Sequence, residues 1–370
     1  MNENNNRVKL IAFHLPQFHT FPENDEWWGE GFTEWTNTKK AIKVYPEHNQ
    51  PREPLDDHYY DLSNLDEMLG QMRLAEKYGV YGFCYYHYWF NGKLLLHKPL
   101  ELIRDYEGHK LPYCLCWANE PWTRTWEGKE ATVLMPQEYG NEKEWEEHFR
   151  YLLKFFRDNA YIKIKGAPLL VIYRTNSIYC AKEMCEYFVR RTKEEGFPDL
   201  FLVEEINCYQ IKPETSVSKA ILQFEPLYSM TEGRSLSDKL IYKIQSIFFN
   251  KKYGSNSQIY GYDRLWKRVI ANAHKDNDEK EFFAGAFVDW DNTARKGKNG
   301  RIVLGCSPEK FGYYLKRQKE KAASHRDRFV FINAWNEWGE GTYLEPDKNN
   351  KYKYLEEVKK VFGTQSGSVK

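Results

Sequence analysis

Hydrophobic positions along this chain gather into eight short apolar runs, at 8–13, 82–86, 113–117, 169–173, 200–203, 220–224, 282–288 and 329–332, each ending in a burst of polar and aromatic side chains. Runs of this length, scarcely interrupted by polar positions, predict strands buried on both faces, as in a parallel sheet. Segments of helical period lie between them. Ser63 is the expected cap of one that carries Leu65, Met68, Leu69 and Met72 on a single face and stops at Gly79; another places Trp145, Phe149, Leu152, Leu153 and Phe156 on one stripe. Strands alternating with helices imply βα units. Eight of them favour a closed (β/α)8 TIM barrel over an open doubly wound sheet, because the turn after the first run reads His14-Leu-Pro-Gln17-Phe-His19 and has no glycine-rich phosphate turn.

A single catalytic domain is expected over 8–363, with a disordered N-terminus at 1–7 and a flexible tail at 364–370. Two connections exceed what a barrel needs. Residues 15–62, after strand 1, form an aromatic insertion with Trp27, Trp28, Phe32, Glu34 and Trp35, expected to wall a cleft. Residues 226–260, after strand 6, carry Leu236, Leu240, Ile241, Ile244, Ile247 and Phe248 at helical spacing among Lys239, Lys243, Lys251 and Lys252. Such a basic amphipathic segment (235–252) can lie on a membrane surface, but most pack on their own domain, and packing is the expectation.

Charge narrows the partners. With 54 basic and 53 acidic residues the net charge is +1, which gives no call for nucleic acid. Neither a secretory leader nor an apolar run long enough to span a bilayer is evident, so a cytoplasmic location is expected. The seven cysteines, with Cys84, Cys114 and Cys116 in apolar runs, read as buried reduced thiols. His14 and His19 lack a third ligand at metal spacing, so neither metal nor cofactor is expected.

In a closed parallel barrel the residues after every strand meet at one rim, where such folds place their chemistry. The last burst supplies Glu337 and Glu340, three apart, beside Asn333, Trp335, Asn336 and Trp338. If the chain turns there, both carboxylates face one cleft. Glycosidic cleavage needs two carboxyl groups of different duty, one protonated and one ionised. Aromatic content points the same way: 16% of the chain is Phe, Trp or Tyr, much of it in the polar bursts, and aromatic faces stack on sugar rings. The expected sugar-binding residues are His14, Gln17, Glu34, Trp35, Tyr86, His87, Trp89, Trp117, Asn119, Glu120, Trp122, Arg124, Asp291, Asn292, Arg295, Asn333 and Trp335. The plainer reading of each is structural, as a helix cap, a loop tie or a packed aromatic.

The run Asn336-Glu337-Trp338-Gly339-Glu340-Gly341-Thr342 resembles a segment of the endo-α-1,2-mannosidases, glycoside hydrolase family 99. Longer stretches are similar to the related WbsX family of bacterial polysaccharide loci: 12–19, 31–35, 82–90, 116–120, 122–124 and 290–295. The resemblance implies a (β/α)8 barrel and retaining glycoside chemistry, with Glu337 assisting the sugar's own 2-hydroxyl through a 1,2-anhydro intermediate and Glu340 as general acid/base. Gly339 departs from the mannosidases, which carry histidine there.

The leading expectation is an enzyme that cleaves or transfers glycosidic bonds of a bacterial surface polysaccharide. A WbsX-type biosynthetic glycosyltransferase is one alternative. It would use a diphosphate site, for which Asp289-Trp-Asp291 is the candidate. A non-catalytic sugar-binding module is the other, although binding alone gives no reason to desolvate two adjacent acids.

Overall fold

A computed structural model describes residues 7–124, 132–272 and 279–363. The expected termini, 1–6 and 364–370, lie outside the described residues, whereas the guanidinium of Arg7 donates to the carbonyl of Phe362.

All eight apolar runs are strands: β1 (Lys9–His14), β2 (Gly82–Phe90), β3 (Tyr113–Trp117), β4 (Ala167–Ile172), β5 (Phe201–Ile206), β6 (Ala220–Gln223), β7 (Glu281–Phe287) and β8 (Phe329–Asn333). Each pairs in parallel with the next, and β1 pairs with β2 on one side (Ile11↔Gly82) and β8 on the other (Lys9↔Phe329), which closes the barrel. The fold is a (β/α)8 barrel. Its interior is aromatic: Phe13 meets Tyr86, Phe224 and Phe331, and Phe283 meets Phe201 and Phe331. Filling the bore with large rings leaves a packed core, so the chemistry is confined to the rim.

Helices α1 (Leu65–Lys77), α2 (Lys98–Asp105), α3 (Glu142–Phe156), α4 (Ala181–Glu194), α5 (Tyr262–Asn272), α6 (Pro308–Ala322) and α7 (Lys353–Phe362) cover the outside. Helix α1 buries Met68, Leu69 and Met72 as expected, but its cap is Asn64, whose side chain accepts from the Asp66 amide at 3.0 Å, and not Ser63. Beyond it Gly79 has φ 89°, and a Cβ there would press on the backbone of Gly363 at 2.8 Å. One connection departs from the regular alternation. Between β5 and β6, residues 207–219 form no helix; the Glu204 carboxylate instead gathers the amides of Glu214 and Thr215 and the hydroxyls of Thr215 and Ser218 at 2.7–3.0 Å. Without a helix the loop's inward-facing amides need other partners, and here one buried carboxylate serves.

Both long insertions are ordered. The first holds short helices at Pro22–Trp28 and Glu34–Lys40, and the second an 18-residue helix, Leu236–Tyr253. Among the described residues, no helix is long and apolar enough to cross a membrane. All seven cysteines are free.

Candidate active site

After β8 the chain makes a short 3-10 turn, Trp338–Glu340, which brings Glu337 and Glu340 to one side of the rim. Arg295, from the loop after β7, sits between them. Its Nη2 is 3.1 Å from Glu337 Oε2, its Nη1 is 3.0 Å from Glu340 Oε1, and its Nε donates to Glu34 Oε1 at 2.8 Å. Three carboxylates, one from the first insertion and two from the turn after β8, thus share one guanidinium.

The first insertion delivers Glu34. The Glu34 amide donates to the Gln17 carbonyl at 3.0 Å, which pins the start of the helix Glu34–Lys40 to the segment after β1. Trp35 then packs on Phe18, Tyr60 and Trp338 and donates from its indole to the Tyr60 carbonyl at 2.9 Å. On the other flank, Trp338 stacks on Tyr343 at 3.8 Å and donates to Glu345 at 2.7 Å. Burial, relieved by hydrogen bonds from Trp338 and Tyr60, leaves the Glu345 carboxyl raised to about 7. A cavity of about 320 Å³, lined in part by Tyr60, Gln71, Trp338 and Glu345, lies behind this wall.

Negative charge exceeds positive charge in the cluster. Burial raises Glu337, Arg295 draws it back only in part, and Glu340 and Glu34 add to the rise. Glu340 is raised by burial as well, against the pull of Arg295 and with the push of Glu34. Like charges around one cation cannot all ionise at ordinary cost, so the cluster retains a proton at higher pH than a free carboxylate would. Such a group can act as an acid near neutrality.

Rings border this cluster. Trp122 meets Phe21, Trp27, Tyr88 and Phe90 with centroids 5.3–6.3 Å apart. Tyr88 is half-buried, and burial together with the charge of Glu337 raises its phenol. Tyr86, on the same face of β2, stacks on Phe13, and burial and then the charges of Glu205 and Glu337 raise it too. Glu120 pairs with Arg174 at 2.7 Å.

The remaining expected residues are placed elsewhere. His14, His87, Trp89, Trp117 and Trp335 point away from the bore into the layer between strands and helices. There His14 Nε2 lies 2.8 Å from Gln71 Oε1, His87 Nε2 lies 2.9 Å from His148 Nε2, Trp89 stacks on His148 at 4.7 Å, and Trp335 packs on Phe83. Burial lowers His14 to about 4 and His87 to about 3, so both are neutral imidazoles at neutral pH. Asn119 ties loops together through Tyr139, Ser177 and both backbone groups of Arg174. Asn333 donates to the Glu225 carbonyl and Asn292 accepts from the Arg301 amide. The side chain of Arg124 lies outside the described residues.

Asp291 is buried and fully engaged. It accepts from His48 at 2.7 Å, Gln50 at 3.0 Å and Thr293 at 2.6 Å, and Arg52 reaches both Asp289 (2.9 Å) and Asp291 (3.7 Å). Burial would raise Asp291, but the hydrogen bond from His48 and the charge of Arg52 win and hold it at about 2. With both aspartates closed on an arginine, they do not fit a metal–diphosphate site. Among the described residues, no group of three or more His, Cys, Asp or Glu side chains could hold a metal ion. The Asp291 amide donates to the Glu340 carbonyl at 2.7 Å, so this buried cluster supports the backbone of the turn.

Sequence reading missed Tyr88 and the trio His48, Gln50 and Arg52. Alternation along β2 would have placed Tyr88 beside Tyr86 had the strand been drawn past Tyr86. No local pattern could pair the trio with partners more than 230 positions away.

By fold the molecule is a TIM-barrel protein, and its rim gathers carboxylates on one arginine beside aromatic rings. It belongs to the WbsX glycosyltransferase family, whose model, described as "Glycosyltransferase WbsX", matches residues 10–358. The WxcX proteins of two strains of Xanthomonas campestris pv. campestris are each 33% identical to it over 357 residues, covering 95% of this chain and 49% of theirs. The chain therefore spans about half the length of the curated relatives it matches. Among solved structures, a glycoside hydrolase-like protein aligns with TM-score 0.61 at 12% identity, over 98% of this chain and 96% of the other. The family 99 endo-α-mannosidase of Bacteroides thetaiotaomicron aligns with TM-score 0.54 at 15% identity, over 95% of each. These two likenesses establish the shared barrel.

Proposed function

We propose that this protein cleaves or transfers glycosidic bonds of a bacterial surface polysaccharide, with Glu337 and Glu340 as its catalytic pair. The observation that carries the reading is the Arg295 guanidinium, which holds both carboxylates and Glu34 within 3.1 Å of its nitrogens at the barrel rim. Clustering three acids on one cation sets apart a protonated and an ionised member, the division of labour that glycoside chemistry requires. Glu340, the more exposed of the pair, protonates the leaving oxygen. Glu337, in the ionised form that the charge of Arg295 favours, deprotonates the sugar's 2-hydroxyl, which attacks the anomeric carbon as the bond to the leaving group breaks, giving a 1,2-anhydro sugar. Water or an acceptor hydroxyl, deprotonated by Glu340, then opens it at the anomeric carbon while Glu337 returns its proton to the 2-oxygen, with net retention. Arg295 keeps the pair in place while the charge moves, and the rings of Trp122 and Tyr88 offer stacking faces for the sugar.

The family description favours transfer as the direction. The engaged state of Asp289 and Asp291 speaks against an Asp-x-Asp metal site as its means. Purified protein is incubated with surface-polysaccharide fragments, with and without nucleoside-diphosphate sugars, and the products are read by mass spectrometry. Fragments shortened or recombined without a sugar nucleotide support the carboxylate-pair reading. Extension only when a sugar nucleotide is present would assign a nucleotide-dependent transferase, and no change under either condition would remove the enzymatic reading.

A further inference from the structure

The helix Leu236–Tyr253 rests on the domain through a narrow seam in which Tyr242 and Phe249 are its buried residues. Phe249 packs edge-on to Tyr45, and the Ser246 hydroxyl accepts the Ile259 amide at 2.9 Å. Packing on the domain, the sequence expectation, holds for this seam alone. The opposite face carries Leu236, Leu240, Ile244, Ile247 and Phe248, exposed by 84, 58, 42, 54 and 70%. With 100° per residue these five side chains fall within about a third of the helix circumference. Lys239 and Lys243 border that arc on one side, Lys252 on the other, and Lys251 closes its C-terminal end. Asp238, the helix's single acid, points away from the arc and pairs with Arg264 at 2.7 Å.

We propose that this face docks on an anionic lipid surface, its apolar side chains entering the boundary between headgroups and acyl chains and its lysines meeting lipid phosphates. Charge complementarity decides the occupant. A second copy of the chain, paired through the same face, would set lysine rows against each other with no acidic row to receive them. An anionic bilayer supplies both the apolar phase and the counter-charge. The platform beneath the helix also connects it to the active site. Strand Gln258–Gly261, which the helix covers, pairs with Arg301–Leu304; there Ile302 bridges Asp291, and the Arg301 amide binds Asn292, on the loop that carries Arg295. Docking would hold that loop beside the membrane, where a lipid-anchored glycan presents its sugars.

Co-sedimentation of the whole chain with vesicles tests the proposal, comparing phosphatidylcholine alone with phosphatidylcholine mixed with phosphatidylglycerol. Binding is expected to the anionic vesicles only, weakening as salt is raised. Lys239→Gln and Lys243→Gln should each weaken it about fivefold, the equivalent of about 1 kcal/mol per basic side chain at such a surface. Leu240→Glu with Ile247→Glu should weaken it by about tenfold or more, since a charge must then enter the apolar layer. All four positions are exposed, so thermal unfolding should not change, and the lysine variants report independently of the apolar ones. Absence of binding to anionic vesicles at low salt, or equal binding by the double glutamate variant, would overturn the proposal. So would self-association in lipid-free sedimentation that the same variant abolishes, because a second copy would then be the occupant.

Discussion

Gly339 and Glu34 compete for one space: a Cβ built on Gly339 would overlap Glu34 Oε1 and crowd Arg295 Nε. The glycine between the two catalytic candidates is thus the opening through which a third carboxylate from the first insertion reaches the guanidinium. This accounts physically for the departure from the histidine of the mannosidase segment. Gly339→Ala should displace Glu34 and loosen the Arg295 cluster, lowering kcat by about tenfold or more while costing about 1–3 kcal/mol of stability through overpacking. Denaturant unfolding and steady-state kinetics on the same preparation measure both. Unchanged kcat would show that Glu34 has no part in holding the pair.

Glu337→Gln should abolish turnover and yet stabilise the protein at neutral and higher pH. The sign follows from the direction of the shift: a carboxyl whose folded pKa is raised binds more protons folded than unfolded, so its ionisation costs stability as pH climbs above the unfolded value of about 4.3. The cost grows until pH passes the folded value and is absent in acid. The variant should therefore gain on the order of 1–2 kcal/mol over wild type at pH 8 and roughly nothing at pH 4. Melting curves across that range check it, and a variant less stable than wild type at pH 8 would show that Arg295 outweighs the burial of Glu337.

Glu340→Gln should reduce turnover of an unactivated glycoside by about 10²- to 10⁴-fold, since an amide cannot deliver the proton the leaving oxygen needs. A substrate with an acidic leaving group, such as a nitrophenyl glycoside, should recover much of that loss in the first step. Near-native rates on the unactivated substrate would remove Glu340 from the acid/base role. A 2-deoxy substrate separates out the part given to Glu337: it should bind without reacting, and normal turnover would exclude the internal nucleophile.

The barrel was legible because parallel strands buried on both faces leave unbroken apolar runs, and every run chosen is a strand. Side-chain direction was less legible, and β2 shows why. Ended at Tyr86, it makes Tyr86, His87 and Trp89 equivalent loop residues; continued to Phe90, its two-residue period sends Tyr86 and Tyr88 to the bore and His87 and Trp89 to the helix layer. Glu34, Arg295, Glu337 and Glu340 were each selected on local grounds, and the structure brings the four together. Their shared guanidinium could not be foreseen, because it joins segments over 260 residues apart, and neither could the closure of Asp289 and Asp291 on Arg52.

That closure leads to the last prediction, which separates the two enzyme readings. Asp291, held down to about 2 by His48 and Arg52, contributes about 2–3 kcal/mol of stability above pH ~4 that is lost as pH falls toward 2, because its depressed pKa makes the unfolded chain bind the proton first. Asp291→Asn removes that charge and leaves Arg52 facing Asp289 alone, so a loss of about 3–5 kcal/mol is expected, as for a buried ion pair broken on one side. Because the Asp291 amide also supports the Glu340 carbonyl, kcat should fall with stability. Calorimetry of the wild-type protein with Mg²⁺ or Mn²⁺ and a nucleoside diphosphate should show no metal-dependent binding, since the aspartates already have their cation. Metal-dependent nucleotide binding that Asp291→Asn abolishes, in a variant still folded by circular dichroism, would mean that Arg52 gives way to an ion, and would replace the carboxylate-pair reading with a nucleotide-sugar transferase.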